Sequence, residues 1–193
     1  MYILETPRLI LRPPSHRDEL LLHGLLSDPF VIEAVGDGVY PTLEQSKAKL
    51  LEFIKHWQDN RFGLWMVFVK DKSEARRFAG YCGLKRFGTD MPAGQNNVQI
   101  ETVLHLGASG EGIGTEAGKA ALRFAFENLK LEKVAGFIRP TNTRSLRKNR
   151  KLGFYHVRDI IYNSNMPRKY FEVTAVTAIL AGELRVLPYT DQK

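Results

Sequence analysis

The chain has 193 residues, 44% hydrophobic and 25% charged; that balance excludes a disordered or fibrous chain and suits one domain, 1–193, with one sizeable core. Its formal charge of +7 reads either as a solvated basic surface or as a seat for a polyanion such as a nucleotide, coenzyme A or RNA. Cys82 is the single cysteine, the N-terminus has no basic stretch leading into an apolar run, and the longest apolar run, about 175–181, is too short to cross a bilayer, so a cytoplasmic protein without a membrane function is expected.

Residues 8–12, Arg-Leu-Ile-Leu-Arg, predict a first strand stopped by Pro13 and Pro14. Ser15 and Asp18 have capping-box spacing, so a helix carrying Leu20, Leu21, Leu22, Leu25 and Leu26 should start there. Residues 28–41 read as irregular, with turns at Gly36 and Gly38. Thr42 caps a second helix, on which Leu50, Phe53, Ile54 and Trp57 form an apolar stripe at i, i+3, i+4, i+7. Strands at 64–69 and 78–84 follow, joined by a turn holding Asp71, Lys72, Ser73 and Glu74, and a polar loop over 86–97 leads to a strand at 98–106. Then come a glycine-rich turn, a helix over about 114–129 with Ala117, Ala121, Phe124 and Ala125 on one face, and a strand at 133–139. A short helix capped by Asn142 ends at Gly153, before strands at 154–161 and 170–180. The 98–139 unit should be a parallel crossover and the hairpins on either side antiparallel, giving a mixed α/β fold with helices on the faces of one sheet.

The turn reads Gly107-Ala108-Ser109-Gly110-Glu111-Gly112-Ile113-Gly114-Thr115. Alternate glycines between a strand and a helix allow close backbone approach, and the helix behind them offers free N–H groups and a positive dipole end. That makes a phosphate seat. A P-loop is excluded, because the required lysine is absent. A dinucleotide fingerprint survives only in the register that starts at Gly112 and puts Ala117 in the sixth place. A turn that merely packs a helix on a sheet is the remaining alternative.

Ser109 through Ala117 resembles the acetyl-CoA pyrophosphate loop of the GNAT N-acetyltransferases, whose pattern is Gln/Arg-x-x-Gly-x-Gly/Ala. Gly112 and Gly114 match it, and Ser109 stands where the family prefers Gln or Arg. Leu4-Glu5-Thr6-Pro7-Arg8-Leu9-Ile10-Leu11-Arg12 is similar to the opening of the RimJ/RimL branch, the ribosomal-protein N-terminal acetyltransferases. Asn142-Thr143-Arg144-Ser145, followed by Lys151-Leu152-Gly153-Phe154, resembles that branch's Asn-x-x-Ser … Lys-x-Gly-Phe stretch.

The resemblance implies a central mixed, largely antiparallel sheet splayed between two parallel strands, with the pantetheine arm inserted between strand 98–106 and strand 133–139. Val103 and Leu104 would pair with that arm. Ser109, Gly110, Glu111, Gly112, Ile113, Gly114 and Thr115 would surround the pyrophosphate. Asn142 would cap its helix and also touch the cofactor. Ser145 is either an ordinary first-turn residue or, as the resemblance implies, a hydroxyl near the thioester sulfur that protonates the leaving thiolate. Many relatives carry a tyrosine four residues later, where this chain has Asn149.

One or two of the basic residues Arg144, Arg147, Lys148, Arg150 and Lys151 would reach the phosphates, with Lys119 and Arg123 competing. No metal is expected. A neutral amine attacks the thioester directly, so a base on the cofactor strand helps. Glu101 and His105 share one face of that strand, since 101, 103 and 105 alternate with 102 and 104. Glu101 is the first choice, against the alternative of a surface carboxylate. Cys82 reads as core. The expected reaction is acetyl transfer from acetyl-CoA to a primary amine, foremost a protein N-terminal α-amine of ribosomal-protein type. The alternatives are a small-molecule amine (a polyamine, amino sugar or amino acid) or a non-catalytic acetyl-CoA sensor. Asp37 and Asp90 are too few acidic groups to indicate a polyamine. No nucleic-acid function is expected, and either a monomer or a homodimer fits.

Overall fold

The structure, a computed structural model, describes residues 1–35, 38–70, 78–87, 97–162, 166–178 and 185–188. The turn expected at Asp71–Glu74, the acidic residues Asp37 and Asp90, and the middle of the polar loop over 86–97 lie outside the described residues.

The strands are β1 (Tyr2–Glu5), β2 (Leu9–Arg12), β3 (Leu64–Val69), β4 (Phe78–Arg86), β5 (Val98–Leu104), β6 (Lys133–Ile138), β7 (Tyr155–Tyr162), β8 (Met166–Thr174) and β9 (Arg185–Pro188). The helices are α1 (Glu19–Leu26), α2 (Pro29–Val35), α3 (Leu43–Asn60), α4 (Ile113–Glu127) and α5 (Thr143–Lys151). The strands form one sheet in the order β7-β8-β6-β5-β4-β3-β2-β1-β9. Its neighbours are antiparallel except β5 and β6, which run parallel. The expected mixed, largely antiparallel sheet with helices on both faces is therefore what the chain forms.

β5 sits at the centre of this arrangement. On one side it pairs with β4 along its whole length, from Arg86 opposite Val98 to Gly80 opposite Leu104. On the other it meets β6 at Gln99 opposite Ala135 and nowhere further along. From Ile100 to Leu104, the edge of β5 that faces β6 has no strand partner.

Two apolar layers clasp the sheet. On one face α4 buries Ala117, Ala121, Phe124 and Ala125 completely, against Trp65, Val67, Cys82, Leu84, Val98 and Ile100. The four α4 residues are those whose spacing predicts a core face. On the other face α1 and α3 bring Leu22, Leu25, Leu50, Phe53 and Ile54 onto Leu64, Met66, Tyr81 and Val103. Residues of β3 alternate between the two layers, so the strand is apolar throughout, and each large side chain buried there is worth about 1.5–3 kcal/mol. Trp57 and Trp65 meet edge-on at 5.0 Å, and their indole N–H groups donate to the carbonyls of Leu64 and Tyr2 at 2.8 Å each. The Thr42 cap forms, with Gln45 as its partner, whereas Ser15 and Asp18 cap a 3-10 turn, His16–Asp18, that leads into α1 rather than the leucine helix itself. Among the described residues no helix is long and apolar enough to cross a membrane.

The structure departs from the sequence reading at five elements. Residues 29–35 form α2 rather than an irregular stretch, because Asp28 caps it: its side chain accepts from the Phe30 N–H at 2.9 Å and its carbonyl from those of Val31 and Ile32. Pro29 at the first helical position loses nothing, since its missing N–H would have had no partner. β1 and β9 are strands of four residues that pair with each other, too short for a period to show. β5 ends at Leu104, where a 3-10 turn over Leu106–Ala108 takes over. β8 begins at Met166 and stops at Thr174, because Thr174 and Thr177 bond to each other and close a turn.

Candidate active site

Where β5 and β6 part, a cleft of about 690 Å³ opens. Thr102, Val103 and Leu104 of β5 form its floor, the turn Ser109, Gly110 and Gly112 with Gly114 and Thr115 of α4 forms one end, and Asn142, Ser145 and Lys148 of α5 form the opposite wall. Phe30, Val31, Glu33 and Ala34 of α2 close it from the other face of the sheet. The guanidinium of Arg144 lies over the Phe30 ring at 4.7 Å, so α5 and α2 touch across the opening.

Gly110 and Gly112 have φ of +96° and +83°, backbone that other residues adopt only at a cost. Among the described residues no acceptor takes the N–H groups of Gly110, Gly112, Ile113 or Gly114. They are free donors at the positive end of a helix of fifteen residues. A Cβ on Gly114 would stand 3.3 Å from Leu104 Cδ1, 3.6 Å from Lys148 Cδ and 3.7 Å from Thr102 Cγ2, so the missing side chain is what keeps this end of the cleft open. The site thus fits a pyrophosphate.

A brace holds the turn in place. Arg8 Nε donates to Glu116 Oε2 at 2.6 Å, Arg8 Nη1 donates to the Glu111 carbonyl at 3.1 Å, and Thr6 Oγ1 donates to Glu116 Oε1 at 2.6 Å. Burial alone would raise the Glu116 carboxyl, but the hydrogen bonds from Thr6 and Arg8 outweigh it and hold it below the usual carboxylate range. Sequence reasoning missed this role for Thr6, Arg8 and Glu116. The signal was present as a Thr-Pro-Arg turn far from an acidic residue in the first turn of α4, but nothing in one sequence says that the two meet.

On α5, Asn142 Oδ1 accepts from the Ser145 N–H at 3.0 Å, so Asn142 is the helix cap, and both residues line the cleft. Asn149 turns away from the cleft: it is 2% exposed and its side chain lies against Gly136 of β6. Glu111 and Ile113 do not line the cleft with their side chains. Glu111 is exposed, and Ile113 is 3% exposed within the core.

Glu101 and His105 lie beyond the cleft walls, toward α1 and α3. Tyr81 Oη donates to Glu101 Oε1 at 2.8 Å, and burial together with the Glu101 charge pushes the Tyr81 hydroxyl well above its ordinary pKa, so it stays a donor. Asp28 Oδ2 pairs with His105 Nδ1 at 3.1 Å. Burial would raise Asp28, but its hydrogen bonds with His105, Phe30 and Leu106 hold it below the carboxylate range. The residue that caps α2 thus also orients His105, a link that sequence reading did not make. Cys82 is fully buried, as expected of a core residue.

The fold and the cleft agree with known proteins. A family model described as the acetyltransferase (GNAT) domain matches residues 8–155. The uncharacterized protein YkkB of Bacillus subtilis is 27% identical over 165 residues, covering 81% of this chain and 87% of YkkB. The solved structure of AAC(6')-Ib with ribostamycin and coenzyme A superposes with a TM-score of 0.73 at 18% identity, over 88% of this chain and 94% of that one. That of RimL, the ribosomal L7/L12 alpha-N-protein acetyltransferase, in complex with coenzyme A superposes with a TM-score of 0.72 at 15% identity, over 89% and 97%. A splayed parallel pair, a glycine turn of free amides at a helix start, and a family match over most of its length together show that the chain belongs to the GNAT acetyltransferases, enzymes that use acetyl-CoA as acyl donor.

Proposed function

We propose that this enzyme acetylates the N-terminal α-amine of a protein, of the kind RimL modifies, in the cytoplasm. The observation that carries the reading is the charge of the cleft wall. Among the described residues it presents Arg139, Arg144, Arg147, Lys148 and Lys151 but only one carboxylate, Glu33. An aminoglycoside or a polyamine brings several cations and would be repelled there. A peptide brings one amine and, beyond it, carbonyls and side chains that a basic wall tolerates.

In this reading, the free amides of Gly110 to Gly114 hold the pyrophosphate, with Ser109 and Thr115 beside them. The unpaired edge of β5 at Val103 and Leu104 holds the pantetheine amides as a strand neighbour would. Bound acetyl-CoA supplies an activated acyl group. Glu101, kept in place by Tyr81, accepts the surplus proton of the attacking amine, with His105, oriented by Asp28, as the second candidate. Ser145 offers a hydroxyl to the sulfur, and Asn142 holds the first turn of α5 so that it can.

The test is thiol release from acetyl-CoA with peptides bearing free or blocked N-termini, a polyamine and an aminoglycoside. Free N-termini should be turned over, and blocking should abolish it. Faster turnover of the polyamine or the aminoglycoside would overturn the reading in favour of a small-molecule acceptor.

A further inference from the structure

Lys148 is a half-buried cation in the cleft wall, without a partner among the described residues. It follows Ser145 by three residues and so shares its face of α5. Its stem packs against the first turn of α4, with Cδ beside Gly114, where the side chains of Leu104 and Thr102 of β5 also approach. Among the described residues its ammonium meets no carboxylate and no hydrogen-bond acceptor. The titratable group that acts on it is Cys82 of β4, whose thiol burial keeps protonated and whose Sγ lies 3.2 Å from Thr102 Oγ1. Glu33 of α2 and Arg144, Arg147 and Lys151 of α5 share the cleft without pairing with it. A half-buried cation with no counter-charge among the described residues is a cost to the fold. It makes sense where an anion arrives during function.

Acyl transfer from a thioester supplies two kinds of anion, the phosphates and the thiolate released when the carbon–sulfur bond breaks. The phosphate seat is the outward-facing row of amides at Gly110 to Gly114. Lys148 has its stem at Gly114, where Thr102 and Leu104 of the β5 floor also meet, and its ammonium interacts with Cys82 of β4, the hydrogen-bond neighbour of Thr102, which places it beside the strand proposed to hold the pantetheine. Ser145 cannot serve the sulfur alone, because an alcohol is a far weaker acid than a thiol and can lend a hydrogen bond but not the proton.

We propose that Lys148 meets the sulfur of coenzyme A and gives it the proton it takes on leaving. The acceptor nitrogen bonds to the acyl carbon, the carbon–sulfur bond breaks, and its electron pair stays on sulfur. Lys148 Nζ passes its proton there, the surplus proton of the acceptor leaves by the Glu101 side, and Lys148 regains a proton from water once the products have gone. Burial lowers the Lys148 pKa from its ordinary value, outweighing the opposing effect of Cys82, and so moves it toward the 8.5 or so of a thiol. The inference rests on the donor site of the proposed function, not on the acceptor.

The experiment is calorimetric binding of coenzyme A and of desulfo-coenzyme A, in which hydrogen replaces the thiol, at about pH 9, where much of the free thiol is ionised. The wild-type enzyme should bind coenzyme A about tenfold more tightly than the desulfo compound. Lys148→Met should bring that ratio close to unity and leave the desulfo affinity unchanged, while kcat falls by about 10²-fold with little change in KM for acetyl-CoA. Lys148→Gln, which keeps a polar end, repeats the comparison should the methionine variant not fold. Equal weakening toward both ligands would make Lys148 a phosphate contact, and a changed melting temperature with unchanged affinities would make it structural; either overturns the proposal. No acceptor enters the measurement, so it stands apart from the identity of the amine. Failure of the wild-type enzyme to bind either ligand would remove the donor site and the proposal with it.

Discussion

Replacing Gly114 by leucine separates the donor site from the fold. Gly114 is the second residue of α4 and its φ is not positive, so a larger residue brings no backbone strain, and exchanging glycine for leucine there gains up to about 1 kcal/mol of helix propensity. The space is another matter. A Cβ already touches Leu104 Cδ1 at 3.3 Å, and the neighbours at 3.6 and 3.7 Å are Lys148 and Thr102, so further carbons can go only into the cleft, in front of the free amides. Loss of close approach to a pyrophosphate should raise the Kd for coenzyme A at least tenfold, about 1.4 kcal/mol. Alanine, whose single carbon asks only a shift of a few tenths of an ångström from the Leu104 side chain, should change Kd by no more than about twofold while keeping the helix gain. Titration calorimetry with coenzyme A and a melting curve for each variant give both numbers. A leucine variant that melts like the wild type and binds coenzyme A equally well would refute the placement of the phosphate.

Asn142→Ala removes the cap on α5 and should cost about 1 kcal/mol, roughly 2–4 °C in Tm, with weaker coenzyme A binding alongside; a fall in Tm alone would leave Asn142 a cap and nothing more. Glu101→Gln should lower the rate most near neutral pH and recover as the pH approaches the pKa of the acceptor amine, and a wild-type pH profile would remove Glu101 as the base. Glu116 has a lowered folded pKa, so its stabilising effect is complete above about 4.5 and is lost as the pH falls below that; the Tm of Glu116→Gln should therefore drop less steeply in acid. His56 is held neutral by burial, donating to the Phe62 carbonyl and accepting from the Arg86 N–H. Its contribution is complete above about pH 6.5 and is lost as the pH falls below, and thermal melts of His56→Gln should lack that step.

Features written into neighbouring residues were legible in the sequence. The α3 stripe, the α4 face and the caps at Ser15, Thr42 and Asn142 depend on spacings of three or four residues, and the glycine turn is one continuous string. Short pieces held by distant partners were not legible. Tyr2–Glu5 is a strand because β9 and β2 flank it, and only Leu4 on it is fully buried. In the site, the glycine turn, Asn142 and Ser145 could be named from the motifs, whereas the brace from Thr6 and Arg8 to Glu116 spans more than a hundred residues of chain and leaves no local pattern. Asp28 was hidden in another way: the Asp-Pro pair that starts α2 reads equally well as a turn. Lys148 stood within a basic run that suggested a solvated face, and only the packing of its stem against Gly114 sets it apart from Arg147 and Arg150.

The gap between β5 and β6 also bears on which surfaces of the sheet another chain can reach. An unpaired strand edge at the rim of a sheet invites another polypeptide to add itself, which is the first step of many aggregates. Here the unpaired stretch from Ile100 to Leu104 lies in the interior of a continuous sheet, flanked by β4 on one side and by β6 and β8 on the other. Another polypeptide cannot add itself there as it would at a rim, because strands of the same sheet already bound the position on both sides. The position of the gap therefore keeps the unpaired backbone donors and acceptors off the rim of the sheet while leaving them open to the cleft.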